Sequence, residues 1–232
     1  MTITEQEQKA IREYFKGRNI PKGLGDENSA CSIGGINLAL YGQLDDITPE
    51  CMSEQIGHWI VRVQDAMTDD IRNSDRWREL LPRAAGTGRE HEQVRSSMIL
   101  EWMWETVLPY LQPIADEDGY GDAWRAMCQE RTADAAAKAA DMAANAAPLA
   151  ARTEVDAARA ATQAGYAAAY TANAGYVAGA PHAAYAAAYA AKAVKAYAAS
   201  AAYAKAWEHF DPCTLLARLI AVSETERGNE AK

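Results

Sequence analysis

Apolar positions along the chain recur every three or four residues, and no stretch alternates with period two over the length of a strand, so the pattern predicts an all-α protein. Thr4 and Glu7 have the spacing of a capping box, with Ile11, Tyr14 and Phe15 on one side of the helix behind it and Gly17 as its stop. Residues 18–28, RNIPKGLGDEN, read as a loop. The segment SACSIGGINLALYG has the apolar content of a helix, but Gly34 and Gly35 each weaken a helix by ~1 kcal/mol relative to Ala. The same glycines also suit a close approach by another backbone. Thr48-Pro49 reads as an N-cap followed by a first-turn proline, and Ile56, Trp59, Ile60, Val63 and Met67 form a stripe beyond it. Thr68 or Ser74 is expected to cap a short helix holding Trp77, Leu80 and Leu81, ended by Pro82. After the glycine-containing connection AAGTGRE (84–90), Val94, Met98, Trp102 and Glu105 fall nearly in line on a longer helix flanked by Leu100 and Met103. Pro109 and Pro113 should bend or break it. DEDGYGD (116–122) reads as a loop in which Asp122 caps a helix bearing Trp124 and Cys128.

From Ala133 to Ala206 about half of the residues are alanine, and the preceding helix is expected to run straight into this tract. Pro148 should start a second long helix, Gly179-Ala180-Pro181 a tight reversal, and His182 a third helix ending at Phe210 before Asp211-Pro212. Leu215, Leu216, Leu219 and Ile220 mark a last short amphipathic helix, followed by a polar tail at 223–232. The expected architecture is a multi-helix bundle in one cooperative unit. An acidic, tryptophan-containing part (1–132) precedes an alanine/tyrosine-rich antiparallel hairpin with its short final helix (133–222). At 3.6 residues per turn Tyr185, Tyr189, Lys192, Ala196, Tyr203 and Trp207 share one face, as do Val155, Tyr166, Tyr170 and Val177 on the helix before. The face reads as the hairpin's core seam, its rings interleaved with facing alanines. It reads alternatively as a nucleotide- or small-molecule-binding face. No acid lies between Asp156 and Glu208, and Tyr185 and Tyr189 with Lys192, Lys195 and His182 could stack a base and hold a phosphate.

Charge and chemistry narrow the function. Residues 1–132 hold 14 basic and 23 acidic residues, which accounts for the whole net charge of −9. That excess offers nothing to neutralise phosphates, so direct nucleic-acid binding is not expected, whereas a protein with a basic surface is a fitting partner. A homodimer through the alanine-rich helices is the other association the pattern allows. The four cysteines are widely spaced and no His/Cys cluster has metal-ligand spacing, so neither a metal nor a cofactor is expected. MTITEQEQKA has no basic-then-apolar leader, and Lys192, Lys195 and Lys205 interrupt the alanine tract. A soluble cytoplasmic protein with reduced thiols is expected, with no membrane partner. Cys31, with His58 or His91 as base, is the best nucleophile candidate, but no signature surrounds it and a buried structural thiol is the better reading. Glu90-His91-Glu92 is not H-E-x-x-H, since position 95 is Arg95. The 116–122 loop has Tyr120 and Met127 where a calcium loop needs acids. AAGTGRE lacks the Gly-Lys-Ser/Thr end of a phosphate loop. No catalytic residue is assigned, and a non-enzymatic role is expected. Trp102 and Trp104 are two apart and cannot both face one core on an α-helix. One of them is expected at the surface, marking a partner-binding patch together with Glu101 and Glu105.

The run ARAATQAGYAAAYTANAGYVAGAPHAAYAAAYAAKAVKAYA, from Ala158 to Ala198, resembles the alanine-rich helical region of immunity proteins found with polymorphic toxins and in phage genomes. In that family such helices, with interspersed His or aromatic residues, follow an acidic helical part. The alanine-rich tract that contains this run (133–206) makes up about a third of the chain, and the resemblance carries no functional residue over. It implies an intracellular inhibitor that binds and blocks a toxin or a defence protein.

Overall fold

The computed structural model describes residues 3–150, 185, 188–190, 192–193 and 200–230. Among them there is no strand; an isolated antiparallel bridge pairs Gly25 with Ala30. The chain is all-α, as its periodicity requires. Two compact units emerge: Met1–Met98 with Pro212–Lys232, and Ile99–Asp211. The change of composition at Thr132 falls inside the second. No helix among the described residues is long and apolar enough to cross a membrane.

The first unit is built on α1 (Glu5–Phe15), α2 (Ser32–Tyr41), α3 (Glu54–Ala66), the single turn α4 (Asp69–Arg72) and α5 (Asp75–Ala84). The Thr4/Glu7 capping box forms in full at the start of α1. The glycine pair does not break the helix, and what approaches it closely is side chains and not another backbone. α2 is a regular helix, and Gly35 lets α1 lie against it so closely that a Cβ there would come within 2.4 Å of Phe15 Cζ. The stripe Ile56, Trp59, Ile60, Val63 and Met67 is fully buried, and Trp59 meets Trp77 of α5 with ring centroids 6.3 Å apart. Trp77 Nε1 donates to Ser32 Oγ at 3.0 Å.

Two boundaries in this unit differ from expectation. Thr48-Pro49 does not open α3; Ser53 caps it, its Oγ accepting from the Ile56 amide at 3.2 Å. Thr48 is instead buried against α3, where only a glycine at position 57 leaves room, since a Cβ would stand 2.2 Å from Thr48 Oγ1. Pro82 does not end α5; it lies inside the helix, which runs on to Ala84 without the bond that an amide at 82 would make to the Arg78 carbonyl.

α6 (Glu92–Trp102) turns a different face inward from the one its apolar pattern suggested. Val94 is exposed, whereas Arg95 and Ile99 are fully buried. The Arg95 guanidinium donates to the carbonyls of Thr87 (3.0 Å), Gly88 (3.1 Å) and Leu219 (3.2 Å) and to Ser223 Oγ. It thereby ties the 84–90 connection to α11 (Pro212–Glu230), which packs on α5 and α3. Thr87 Oγ1 also accepts the Ser53 amide, and Glu92 accepts the Gln55 amide, so this connection serves the N-terminus of α3 as well. Leu215, Leu216, Leu219 and Ile220 are buried as expected. The helix continues beyond them to Glu230, so the expected polar tail begins as helix; Ser223 is buried and Glu224 pairs with Arg83 at 2.9 Å.

In the second unit a π-helical turn (Met103–Val107) and a 3-10 turn (Pro109–Leu111) precede α7 (Gln112–Glu117), α8 (Gly121–Glu130) and α9 (Ala133–Ala150). The wide turn closes with Leu108 N–H on the Met103 carbonyl, immediately before Pro109, whose ring crowds the carbonyl four residues back in a regular helix. Asp116 and Glu117 belong to α7, and Gly119 makes the reversal. Asp122 lies in the first turn of α8 and pairs with Arg125 instead of capping; Tyr120 holds the N-cap position without a side-chain hydrogen bond. α8 does not run into the alanine tract. Arg131 terminates it in the left-handed region (φ 54°), and Thr132 Oγ1 accepts from the Ala135 amide to start α9. α9 passes through Pro148, so no helix begins there, and Ala136, Ala139 and Ala143 are its buried stripe. α10 (Ser200–Phe210) ends where Asp211 takes φ 39° before Pro212, as the sequence suggested. The hairpin reversal at Gly179–Pro181 and the Val155, Tyr166, Tyr170, Val177 face lie outside the described residues.

Candidate partner-binding surface

Trp102 and Trp104 are both buried, 6% and 9% exposed, so neither forms the expected surface patch. A spacing of two forces one indole to the surface only where the helix has a single core face. Here the two indoles leave the turn on nearly opposite sides and both sides are enclosed. Trp102 Nε1 donates to the Phe210 carbonyl at 2.7 Å, and its ring meets Phe210 edge-on at 6.4 Å. Trp207 and Tyr110 complete the cluster around Phe210. Glu101 and Glu105 are exposed, and Glu105 pairs with Arg131 at 3.1 Å.

On the tyrosine face Tyr185 and Tyr189 are half-buried, while Ala188, Ala190 and Ala193 are buried beside them. Lys192 is exposed and folds its Nζ over the Tyr189 ring, 4.5 Å from the centroid, so its charge already has a π partner. His182 and Lys195 lie outside the described residues.

Cys31, Cys51 and Cys213 are buried, and Cys128 is half-buried. Cys31 caps α2, its Sγ accepting the Gly34 amide at 3.2 Å, and burial pushes its pKa up despite that donor. Burial likewise raises Cys51, and takes Cys128 up to about 11. No disulfide joins the four cysteines. A thiol raised this way is a poor nucleophile at neutral pH.

Two surface concavities of the first unit are lined by described residues. The larger, about 600 Å³, lies along α1 and α5; its charges alternate, with Arg12, Lys16, Arg78 and Arg83 among Glu13, Asp75 and Glu79. The smaller, about 290 Å³, is formed where α2 ends at left-handed Gly42 and the chain returns through residues 43–50. Asn37, buried on α2, pins this return. Its Nδ2 donates to Asp45 Oδ1 (2.6 Å) and to the carbonyls of Ile47 (2.8 Å) and Asp45 (3.3 Å). Asp45 Oδ1 also accepts the Ile47 amide at 3.0 Å. Ile47 is thereby held outward, 71% exposed, and lines the same cleft as Tyr41, 53% exposed. The charged side chains lining the cleft, Asp45 and Glu50, are both acidic, and exposed Asp46 adjoins them. Burial, the nearby Cys51 thiol and the carboxylates of Glu7 and Glu50 push the Tyr41 hydroxyl up to about 12. No pattern in the sequence singled out this segment. Its one signal is an aliphatic residue isolated among acids and a proline, in DDITPE.

Comparison with protein-family models, with curated proteins and with solved structures finds no match to this chain.

Proposed function

We propose that the protein is a non-catalytic intracellular binding protein that blocks a protein target bearing a basic surface, of the toxin-immunity or phage anti-defence kind. The observation that carries this reading is the disposition of charge. Most of the arginines whose contacts are described turn to the protein itself. Arg72 and Arg95 are buried and spend their guanidinium groups largely on main-chain carbonyls. Arg83, Arg89, Arg125 and Arg131 are held in ion pairs at 2.7–3.1 Å. No cation is among the residues lining the cleft beside Asp45 and Glu50; Glu50 and the adjoining Asp46 are exposed to what approaches from solvent, while half-buried Asp45 accepts from Asn37 Nδ2 and the Ile47 amide. A surface of one sign steers an oppositely charged partner and raises its association rate.

The experiment is capture with the tagged full chain from the cells that carry it, followed by association kinetics and an activity assay of the captured protein. A basic protein should be enriched over a charge-matched control. Its on-rate should fall by about tenfold or more from low to high salt, and its activity should be lost at stoichiometric complex. Failure to enrich any protein, or a captured protein that stays fully active when bound, refutes the reading.

A further inference from the structure

The cleft beside Tyr41 and Ile47 narrows what that target must present; this step rests on the blocking role above. Single exposed apolar residues are ordinary on protein surfaces and need no explanation. Two of the most exposed large ones here border one concavity. Ile47 is exposed because Asn37 and Asp45 fix the main chain around it, so ordering the loop is largely complete before a partner arrives. At about 290 Å³ the cleft is at the lower limit of the ~300–1,000 Å³ of small-molecule sites, which suits one side chain of a larger ligand. Its lining charges are acidic, which disfavours a nucleotide and favours cations. They also disfavour a second copy of this chain docking cleft to cleft.

We propose that the cleft seats a short basic segment of the protein target, in which an aliphatic side chain enters between Tyr41 and Ile47 while flanking Lys or Arg residues meet Asp45, Asp46 and Glu50. The aliphatic contact sets how long the segment stays, and the cations set which segments arrive.

The test is a titration of the isotopically labelled full chain, followed by amide shifts, with three synthetic peptides. The first has leucine flanked by Lys and Arg, the second glycine in place of that leucine, and the third leucine flanked by Glu. Saturable shifts centred on residues 41–50 are expected with the first peptide only. Ile47→Asp should weaken that binding by about tenfold or more, and Glu50→Lys should weaken it and flatten its salt dependence. Both side chains are exposed, so both variants should melt with the parent. Shifts centred on another face, shifts unchanged by Ile47→Asp, equal response to the Glu-flanked peptide, or no saturable shift each overturn the site. So does a parent dimer, seen by sedimentation, that Ile47→Asp dissociates. None of these decides the blocking role, which fails separately in the capture and activity assay above.

Discussion

Arg95 offers the sharpest test of how the first unit is held together. Its guanidinium is fully buried and reaches three main-chain carbonyls, at Thr87, Gly88 and Leu219, plus Ser223 Oγ, with Glu92 Oε1 3.6 Å away. Burial lowers the pKa of Arg95, and Glu92 and Glu90 oppose that shift. Replacing a buried ion pair by apolar residues is often neutral, because both charged partners can be removed together. Here most of the partners are carbonyls, which no side-chain substitution removes. Arg95→Ala therefore leaves buried acceptors short of donors and Glu92 without its cation. Each charged hydrogen bond is worth ~1.5–3 kcal/mol, but the groups relax and admit water, so the sum overstates the loss. The cost of breaking a buried pair, ~3–5 kcal/mol, is the better guide.

We expect ~4 kcal/mol for Arg95→Ala. Arg95→Lys should cost ~2 kcal/mol, because a compact ammonium keeps the charge but cannot span acceptors arranged for a planar fork. In urea, with a slope of ~3 kcal/mol per M, the alanine variant's midpoint falls by ~1.3 M. Hydrogen exchange of the 212–224 stretch should accelerate with it, since α11 is one of the elements Arg95 ties down. A lysine variant within ~0.5 kcal/mol of the parent would refute the geometric argument. So would an alanine variant whose α11 exchanges at the parent rate.

Other substitutions probe single features. Gly35→Ala should destabilise by ~1–3 kcal/mol in thermal or urea melts, because its methyl would collide with Phe15 and Tyr14; an unchanged melt would mean that α1 and α2 do not touch there. Trp104→Ala should cost ~3–5 kcal/mol as a core residue, whereas an indole at a surface patch would cost little. Asp118 is raised above its ordinary value by burial and by Glu117. A carboxyl raised on folding contributes stability fully present below its unfolded pKa, and loses it as pH rises through the folded pKa. Asp118→Asn should therefore stabilise at neutral pH and lose that advantage on acidification below pH ~4; a pH-independent difference would exclude this cause.

What the sequence made legible is what neighbouring residues decide. The Thr4/Glu7 box, the Ser74 cap and the fully buried stripe on α3 each rest on side chains within one or two turns of each other. The errors occur where distant chain decides. The helical period put Val94 in line with Met98 and Trp102, but Val94 is exposed and Arg95 is buried instead, held in part by the Leu219 carbonyl more than a hundred residues downstream. Thr48-Pro49 has the local form of a helix start, yet Thr48 is spent on contact with Gly57, leaving the cap to Ser53. Trp102 and Trp104 looked incompatible with one core because two-sided enclosure leaves no mark in a helical period. The cleft was invisible for the same reason. Ile47 is displayed by an asparagine ten residues earlier, and Asn37 by itself reads as an interruption in an apolar helix.

The division of labour at that cleft can be separated kinetically on the captured target. Charges on an open rim act at distances comparable to the Debye length, ~8 Å at physiological salt, before desolvation begins. Glu50→Lys should therefore slow association and flatten its salt dependence, with little effect on dissociation. Ile47 contributes only once water has left its side chain, so Ile47→Asp should speed dissociation by about tenfold while association changes less. The aspartate adds negative charge to an already acidic rim, so a basic target's on-rate should hold or rise even as the complex weakens. Faster dissociation with an on-rate that holds or rises is hard to obtain from misfolding, which lowers the active fraction and leaves both constants of the remainder unchanged. If instead Glu50→Lys changes only dissociation, or Ile47→Asp only association, then steering and apolar docking are not divided between these residues, and the cleft does not work as argued.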